Sequence, residues 1–205
     1  MLLSFIKNLV SRRDKNSTSV APPTAACPIR LHIGGQAPHP DWKIVDIRPG
    51  PHVDYVGTCT SLSTFGDGTV AEIYASHVIE HLGYQSELAT ALHEFNRVLI
   101  AGGALRLSVP DLTALCALFL DPALGSDERF HVMRMMFGGQ INQADFHHVG
   151  LNEEFLTSYL SQAGFIDIAR VDNFGLFDDA SSLIFKDRRI SLNLRARKPL
   201  GVCRT

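Results

Sequence analysis

His77, Glu80 and His81, in the segment HVIEH, place two imidazoles and a carboxylate within five residues. Two chemistries suit such a set. H-x-x-E-H is the inverted zinc-protease motif, in which both histidines sit on one helical face and a third ligand comes from downstream. The same imidazoles also suit general-base work near neutral pH, where a hydroxyl acceptor must lose a proton. The context opposes zinc hydrolysis, because the motif directly follows the strand-like EIYAS (72–76) and Gly83 ends its apolar run early. A structural reading stands beside both, with Glu80 and His81 hydrogen-bonding the sheet edge and the following loop.

Further polar groups lie in the 111–150 segment, where Arg134, Asn142, Asp145, His147 and His148 accompany the apolar Met133, Met135, Met136 and Phe137. Met and Phe at such spacing are first of all core residues. The polar run behind Gly138-Gly139 reads as a mobile lid with one face toward an acceptor. Asp111, after Pro110, reads as a helix cap or as a second base at a pocket rim.

The elements that must position these groups are legible from periodicity. IRLHIGG (29–35), WKIVDI (42–47), VDYVG (53–57), EIYAS (72–76) and ALRLSVP (104–110) read as strands. Leu88, Leu92, Phe95 and Leu99 recur at helical spacing, with Gly102-Gly103 as the expected stop. Asp111 opens a helix that Pro122 terminates, a further helix falls around 127–137, and Asn152 caps one that stops at Gly164. FIDIARV (165–171) and ISLNLRAR (190–197) are late strands joined by a polar loop. Strands alternating with helices predict a three-layer α/β, Rossmann-like architecture, mostly parallel with a closing antiparallel strand.

Only QAPHPD separates the first two strands. A parallel crossover normally takes a dozen or more residues and a helix. Six or seven extended residues, stiffened by Pro38 and Pro40, reach back roughly 20 Å at ~3.1 Å each. The expectation is a direct return loop with no helix.

The chain has 205 residues, 45% hydrophobic and 20% charged, with net charge −2. That composition excludes disordered and fibrous classes and gives no global basic field for nucleic acid. Cys27, Cys59, Cys116 and Cys203 lie far apart with no C-x-x-C pair, which fits reduced thiols in a cytoplasm. No apolar run approaches the ~20 residues that span a bilayer. After MLLSFIKNLV the charges Arg12, Arg13 and Lys15 follow the apolar stretch instead of preceding it, the wrong order for a secretory signal. Leu2, Phe5, Ile6 and Leu9 share one helical face, so weak membrane-surface contact through residues 1–13 stands beside docking on the protein's own body. The expected organisation is an N-terminal segment and linker (1–28), one domain (29–198, with 111–150 as an acceptor-side insertion) and a tail (199–205).

LHIGG, WKIVDI, IYASHVIEHL, ALHEFNRVLIAGGALRLSVPDL and GLNEEFLTSYLSQAGF together resemble class I S-adenosylmethionine-dependent methyltransferases, within them the type 11-related group of predicted methyltransferases. The resemblance covers roughly residues 29–197. It implies methyl transfer from S-adenosylmethionine, by expectation to an oxygen of a small-molecule or glycan-like acceptor. It also implies cofactor contacts from Gly34, Gly35, Asp46, Thr58 and Ser76, and acceptor-side roles for His77, His81 and His147. Whether a metal is used stays open.

The physical chemistry agrees in part. A glycine at a strand end lets a ligand approach the backbone, although Gly34 and Gly35 also suit a tight turn. Asp46 offers one acceptor oxygen to each hydroxyl of a ribose. The chain departs from the family at Gln36, where a glycine is usual, and at Thr58, near which an aspartate commonly meets the adenine amino group. A dinucleotide is disfavoured, since it needs a helix N-terminus in a G-x-G-x-x-G frame to receive its pyrophosphate. The rival from another class is a non-catalytic binding or scaffold protein on this fold, with Gln36 partly filling the pocket mouth.

Overall fold

The computed structural model describes residues 28–201. The expectations for the apolar N-terminal face, for the linker up to residue 27 and for residues 202–205 lie outside the described residues.

The strands are β1 (Ile29–Ile33), β2 (Lys43–Asp46), β3 (Tyr55–Val56), β4 (Val70–Ser76), β5 (Leu99–Pro110), β6 (Ile166–Val171), a hairpin of β7 (Ile184–Phe185) and β8 (Arg188–Arg189), and β9 (Ser191–Arg197). The helices are α1 (Glu87–Val98), α2 (Leu112–Phe119), α3 (Ser126–Phe137) and α4 (Glu153–Gln162). Seven strands form one sheet in the order β3-β2-β1-β4-β5-β9-β6. All run parallel except β9, which is antiparallel to both β5 and β6. The order reverses between β1 and β4, so the crevice for a ligand lies outside their carboxyl ends.

Alternation along the strands divides the sheet into two unlike faces. Leu31, Ile33, Ile73, Ala75, Leu105, Leu107, Leu192 and Leu194 point to one side. There they meet Leu88, Leu92 and Phe95 of α1 and Leu156 and Leu160 of α4. His32, Tyr74 and Asn193 point to the other side and are buried as well.

The chain between β1 and β2 contains no helix, as the short QAPHPD connection requires. Right-handed crossovers leaving a switch point in opposite directions cover opposite faces, so a β1–β2 helix would lie across the sheet from α1. A loop from the β6–β9 connection covers that side instead. The Phe177 ring sits 4.1 Å from His32, 4.9 Å from Tyr74 and 5.6 Å from Trp42, centroid to centroid. Tyr74 donates its hydroxyl to Asp179 Oδ2 at 2.6 Å, and the Asn193 amide donates to the carbonyls of Asp172 and Ser181 at 2.9 Å. The layer opposite α1 is thus built from aromatic anchors and from the hydrogen bonds of Tyr74 and the Asn193 amide N–H groups.

Three boundaries differ from the sequence reading. Gly102 and Gly103 do not stop α1, which ends at Val98 with Leu99 already extended. They lie inside β5, where the register to β4 shifts and Gly102 takes φ +76°. α2 ends at Phe119, ahead of Pro122. The expected polar loop between the late strands contains the β7–β8 hairpin, whose two-residue strands are too short to show a period. A second small core joins α2 and α3 through Leu115, Leu118, Leu124, Val132 and Ile190, with Met135 and Met136 packed on its edge. Among the described residues no helix is long and apolar enough to cross a membrane.

His32 gives this arrangement a pH signature. Burial lowers its pKa from 6.5 to about 4, and its Nδ1 has no hydrogen-bond partner. The unfolded chain takes up that proton near pH 6.5, whereas the folded chain takes it only near pH 4. His32 therefore leaves stability untouched above pH 7 and weakens it as pH falls, by about 3 kcal/mol at the acid limit. Urea titrations of His32→Phe between pH 7 and 4 are expected to show a shallower loss than the parent protein.

Candidate active site

A cavity of about 320 Å³ opens at the carboxyl ends of β1, β2 and β4, lined among others by Gly34, Gln36, Asp46, Thr58, His77 and His81. Its size falls in the range of small-molecule sites. Gly34 turns the chain out of β1 with φ +72°, its N–H donating to the Val45 carbonyl at 2.8 Å. A Cβ there would stand 2.6 Å from Val78 Cγ2, so the position admits no side chain. Asp46 ends β2, and its Oδ1 accepts the Arg48 N–H at 2.8 Å. Its Oδ2 has no hydrogen bond among the described residues.

Other sequence-predicted cofactor residues sit differently. Gly35 does not line the cavity; a Cβ there would meet His32 Nδ1 at 2.7 Å, so its bareness serves packing on the opposite face. Ser76 is outside the cavity too, because alternation puts its side chain on the Tyr74 face, where its Oγ is buried without a partner. Thr58 lines the cavity, but its Oγ1 lies 2.9 Å from Thr60 Oγ1 and accepts the Thr60 N–H. The Gln36 side chain folds back and donates to the Gly34 carbonyl at 3.0 Å.

His77 and His81 form the opposite wall; His147 packs against His81 and does not itself line the cavity. His77 follows β4 with φ +53°, a left-handed conformation uncommon outside glycine and characteristic of functional turns. Its Nε2 is 2.9 Å from Ser191 Oγ, which in turn donates to the Ala180 carbonyl at 2.7 Å. The Ser191 proton is thereby committed, so His77 carries its own proton on Nε2 and leaves an Nδ1 lone pair 3.5 Å from Glu80 Oε1. Burial lowers the His77 pKa to about 4, keeping the ring neutral. His81 lies 3.0 Å through Nδ1 from the Phe146 carbonyl, and His147 3.3 Å through Nδ1 from the Met136 carbonyl. A carbonyl only accepts, so both rings hold a proton on Nδ1, and in the neutral ring that leaves the lone pair on Nε2. The His81 and His147 rings meet edge to face at 4.9 Å.

Glu80 belongs to the HVIEH set weighed in the sequence but is not among the expected acceptor-side residues. It is 1% exposed, neither carboxyl oxygen has a hydrogen-bond partner, and burial raises its pKa to about 8. The motif HVIEH contains the signal, but the segment folds as a 3-10 turn, Ile79–His81, and not as the long helix the zinc-protease motif needs. His77 stands outside that turn. The hydrolase reading fails on this geometry.

His147 reaches the site through the chain after α3. Gly138 takes φ +83°, and the turn closes through His147 N–H to Phe137 O at 3.2 Å and Gln140 N–H to Asp145 O at 3.3 Å. The Glu80 carbonyl then accepts from both His148 and Val149 backbone N–H groups, tying this loop to the 3-10 turn. Ala144 of the loop borders the cavity, and the His148 side chain is exposed. A Cβ on Gly138 would overlap the Asp145 carbonyl in a conformation L residues rarely adopt. Gly138→Ala is expected to destabilise the protein by about 1–3 kcal/mol and to displace His147, read by denaturant titration and by the shift of the His147 ring signals in NMR. Asp111 does not line the cavity; it caps α2 by accepting from Thr113 and Ala114 N–H and pairs with Arg170 Nη2 at 2.8 Å.

No protein-family model matches the chain, and no curated protein matches it in sequence. Solved structures do. A SAM-dependent methyltransferase from Archaeoglobus fulgidus superposes with TM-score 0.52 at 16% identity, covering 84% of this chain and 86% of that one. The fold is a Rossmann-like methyltransferase fold. The N-methyltransferase NodS from Bradyrhizobium japonicum, solved with S-adenosyl-L-homocysteine, matches at TM-score 0.50 and 14% identity, over 84% of this chain and 78% of that one. A possible exported protein from Bordetella parapertussis matches at TM-score 0.52 and 14% identity, and this chain spans 62% of its length while 83% of this chain is covered. Within the methyltransferase fold, the cavity occupies the crevice at the strand-order switch.

Proposed function

We propose that the protein is an S-adenosylmethionine-dependent methyltransferase acting on a hydroxyl oxygen of a small-molecule or glycan-like acceptor. The observation that carries this reading is one cavity with two unlike walls: Gly34 and Asp46 on the β1–β2 side, the imidazoles of His77 and His81 on the β4 side. The residues fit the cofactor. A bare Gly34 backbone lets a ligand lie close, and Asp46 has an oxygen free for a ribose hydroxyl. A dinucleotide fits worse, because no helix N-terminus follows β1 to take a pyrophosphate.

S-adenosylmethionine, when bound, supplies a methyl carbon already activated by its sulfonium. The chain's task is then to orient and to accept a proton. Asp46 fixes one end of the cofactor, and the loop over the 3-10 turn bounds the acceptor side. His81 lines the cavity with an Nε2 lone pair and is the group placed to accept the acceptor's hydroxyl proton. Membership in the type 11-related group belongs to this reading, supported by the order of LHIGG, WKIVDI, IYASHVIEHL and SVPDL. Cytoplasmic residence also belongs to it, supported by Cys59 and Cys116 as free thiols. Contact with nucleic acid is not part of it.

A second reading, a non-catalytic binding scaffold, is favoured by Gln36, which closes on the Gly34 carbonyl at the cavity edge. The two readings separate in a screen of glycosides and small alcohols for S-adenosylhomocysteine release. The enzyme reading expects release with a hydroxyl acceptor and loss of about 100-fold or more in His81→Ala. Release that is independent of every acceptor and unaffected by His81→Ala would contradict the assigned base.

A further inference from the structure

The sheet face away from α1 is covered over only part of its length. On β1, His32 is buried while Arg30, two residues earlier, is exposed; on β9, Asn193 is buried while Arg195 and Arg197 are exposed. Alternation keeps the residues of each set on one face. Phe177 and its loop cover His32, Tyr74 and Asn193, and the face turns basic beyond them, toward the amino ends of β1 and β4. Arg106 of β5 stands directly opposite Arg195 in the register, and Arg197 lies two residues further along β9. Like charges directly opposite one another destabilise a sheet. Glu72 of β4 pairs with Arg106 and lies 3.5 Å from Arg30 Nε, which leaves Arg195 and Arg197 without an ion pair among the described residues.

These arginines border a groove. Its volume is about 530 Å³, and Ala104, Arg106, Asp167, Ala169, Arg195 and Arg197 line it. Ala169 is the register partner of Arg195 across β6 and β9, and Ala104 that of Arg197 across β5 and β9. Small side chains beside the arginines leave the floor between the guanidinium groups open. Burial, followed by the charges of Arg30 and Arg197, pulls the Arg106 pKa below its ordinary value, so the cationic groups crowd one another. The acidic groups here are Glu72 and Asp167, the latter exposed where β6 bulges, and they face four arginines. Positive charge is left uncompensated.

We propose that Arg106, Arg195 and Arg197 bind a phosphate-type oxyanion, carried as a phosphate monoester or a diphosphate group. Guanidinium groups present planar forks that match two oxygens of such a group. The bound anion would lie between side chains that otherwise repel, so binding relieves the cross-strand repulsion. The cavity of the candidate active site opens at the carboxyl ends of the strands, whereas this groove lies toward their amino ends. The two are separate sites, and this one does not rest on the methyltransferase reading. A soluble phosphate ester and a lipid headgroup offer the same chemistry, and the two arms of the test tell them apart.

The test titrates the full chain with inorganic pyrophosphate in a calorimeter, at low salt and without S-adenosylmethionine. The expected result is one ion per chain, with an affinity that falls as sodium chloride is added. Arg195→Gln and Arg197→Gln are each expected to weaken binding by about tenfold. Arg188→Gln, in the β7–β8 hairpin and outside the groove, is expected to leave it unchanged. Without pyrophosphate, both groove variants should melt at or above the parent's temperature, because each removes a like charge and no ion pair. That separates lost binding from lost folding. In the second arm the proteins are sedimented with vesicles of equimolar phosphatidylcholine and phosphatidic acid, with pure phosphatidylcholine as control. Vesicle binding that is lost in Arg195→Gln and Arg197→Gln, without pyrophosphate binding, would assign the anion to a lipid headgroup. Lys7, Arg12, Arg13 and Lys15 are common to all variants, so only the part lost with Arg195 and Arg197 counts. Absence of binding in both arms, or binding unchanged in both variants, would overturn the site. Equal displacement of pyrophosphate by acetate and by sulfate at one ionic strength would overturn it too, as screening without a site.

Discussion

Phe177→Ala is expected to lower stability by about 3 kcal/mol and the melting temperature by roughly 6–12 °C. The effect is large for a loop residue because this loop stands where a helix layer would be. Phe177 contacts His32, Trp42 and Tyr74, each buried and projecting from the sheet on the side away from α1. Truncation would expose those rings and leave the Tyr74–Asp179 hydrogen bond at the edge of a cavity. Leu183→Ala, in the same loop but half exposed, is the control and should change stability by no more than about 0.5 kcal/mol. Equal effects of the two substitutions in chemical denaturation would mean that Phe177 does not anchor the layer.

Asp46→Ala is expected to weaken S-adenosylmethionine binding by roughly 10- to 100-fold while lowering stability by no more than about 1 kcal/mol. The carboxylate accepts the Arg48 N–H, has the Arg48 Nε 3.9 Å from the same oxygen, and keeps its second oxygen at the cavity. Charge-assisted hydrogen bonds to two ribose hydroxyls account for the affinity lost, and loss of the Arg48 contact accounts for the small stability change. Asp46→Asn keeps the shape and removes the charge, so it should fall between the parent and Asp46→Ala. Unchanged affinity in Asp46→Ala, measured by titration calorimetry, would remove Asp46 from the cofactor site.

What the sequence shows and conceals follows from how local each signal is. Alternation in β1, β4, β5 and β9 and the helical period of α1 are local, and the parallel sheet follows from them. The missing helix between β1 and β2 is also legible, because a count of six residues bounds what can fit. Its replacement is not, since Phe177 meets His32 and Trp42 only through a connection more than 130 residues later. Gly35 and Ser76 show the limit of reading sites from strand ends: one residue of phase sends a side chain to the other face. Glu80 lies in plain sight within HVIEH. Its chemical character comes from complete burial and from His147, which no local pattern ties to it. The glycines at 102 and 103 read as a helix stop, whereas a register shift beside β4 is what uses them.

The central claim is that the cavity between Gly34, Asp46 and the histidines holds S-adenosylmethionine. Titration calorimetry of the purified protein with S-adenosylmethionine, S-adenosylhomocysteine and NAD tests it most directly. Micromolar binding of the first two is expected at one per chain, and none of NAD, whose pyrophosphate finds no helix N-terminus after β1. No binding of either sulfur compound up to millimolar concentration would contradict the claim, and Gln36 folded onto the Gly34 carbonyl would then mark a closed pocket on a scaffold protein.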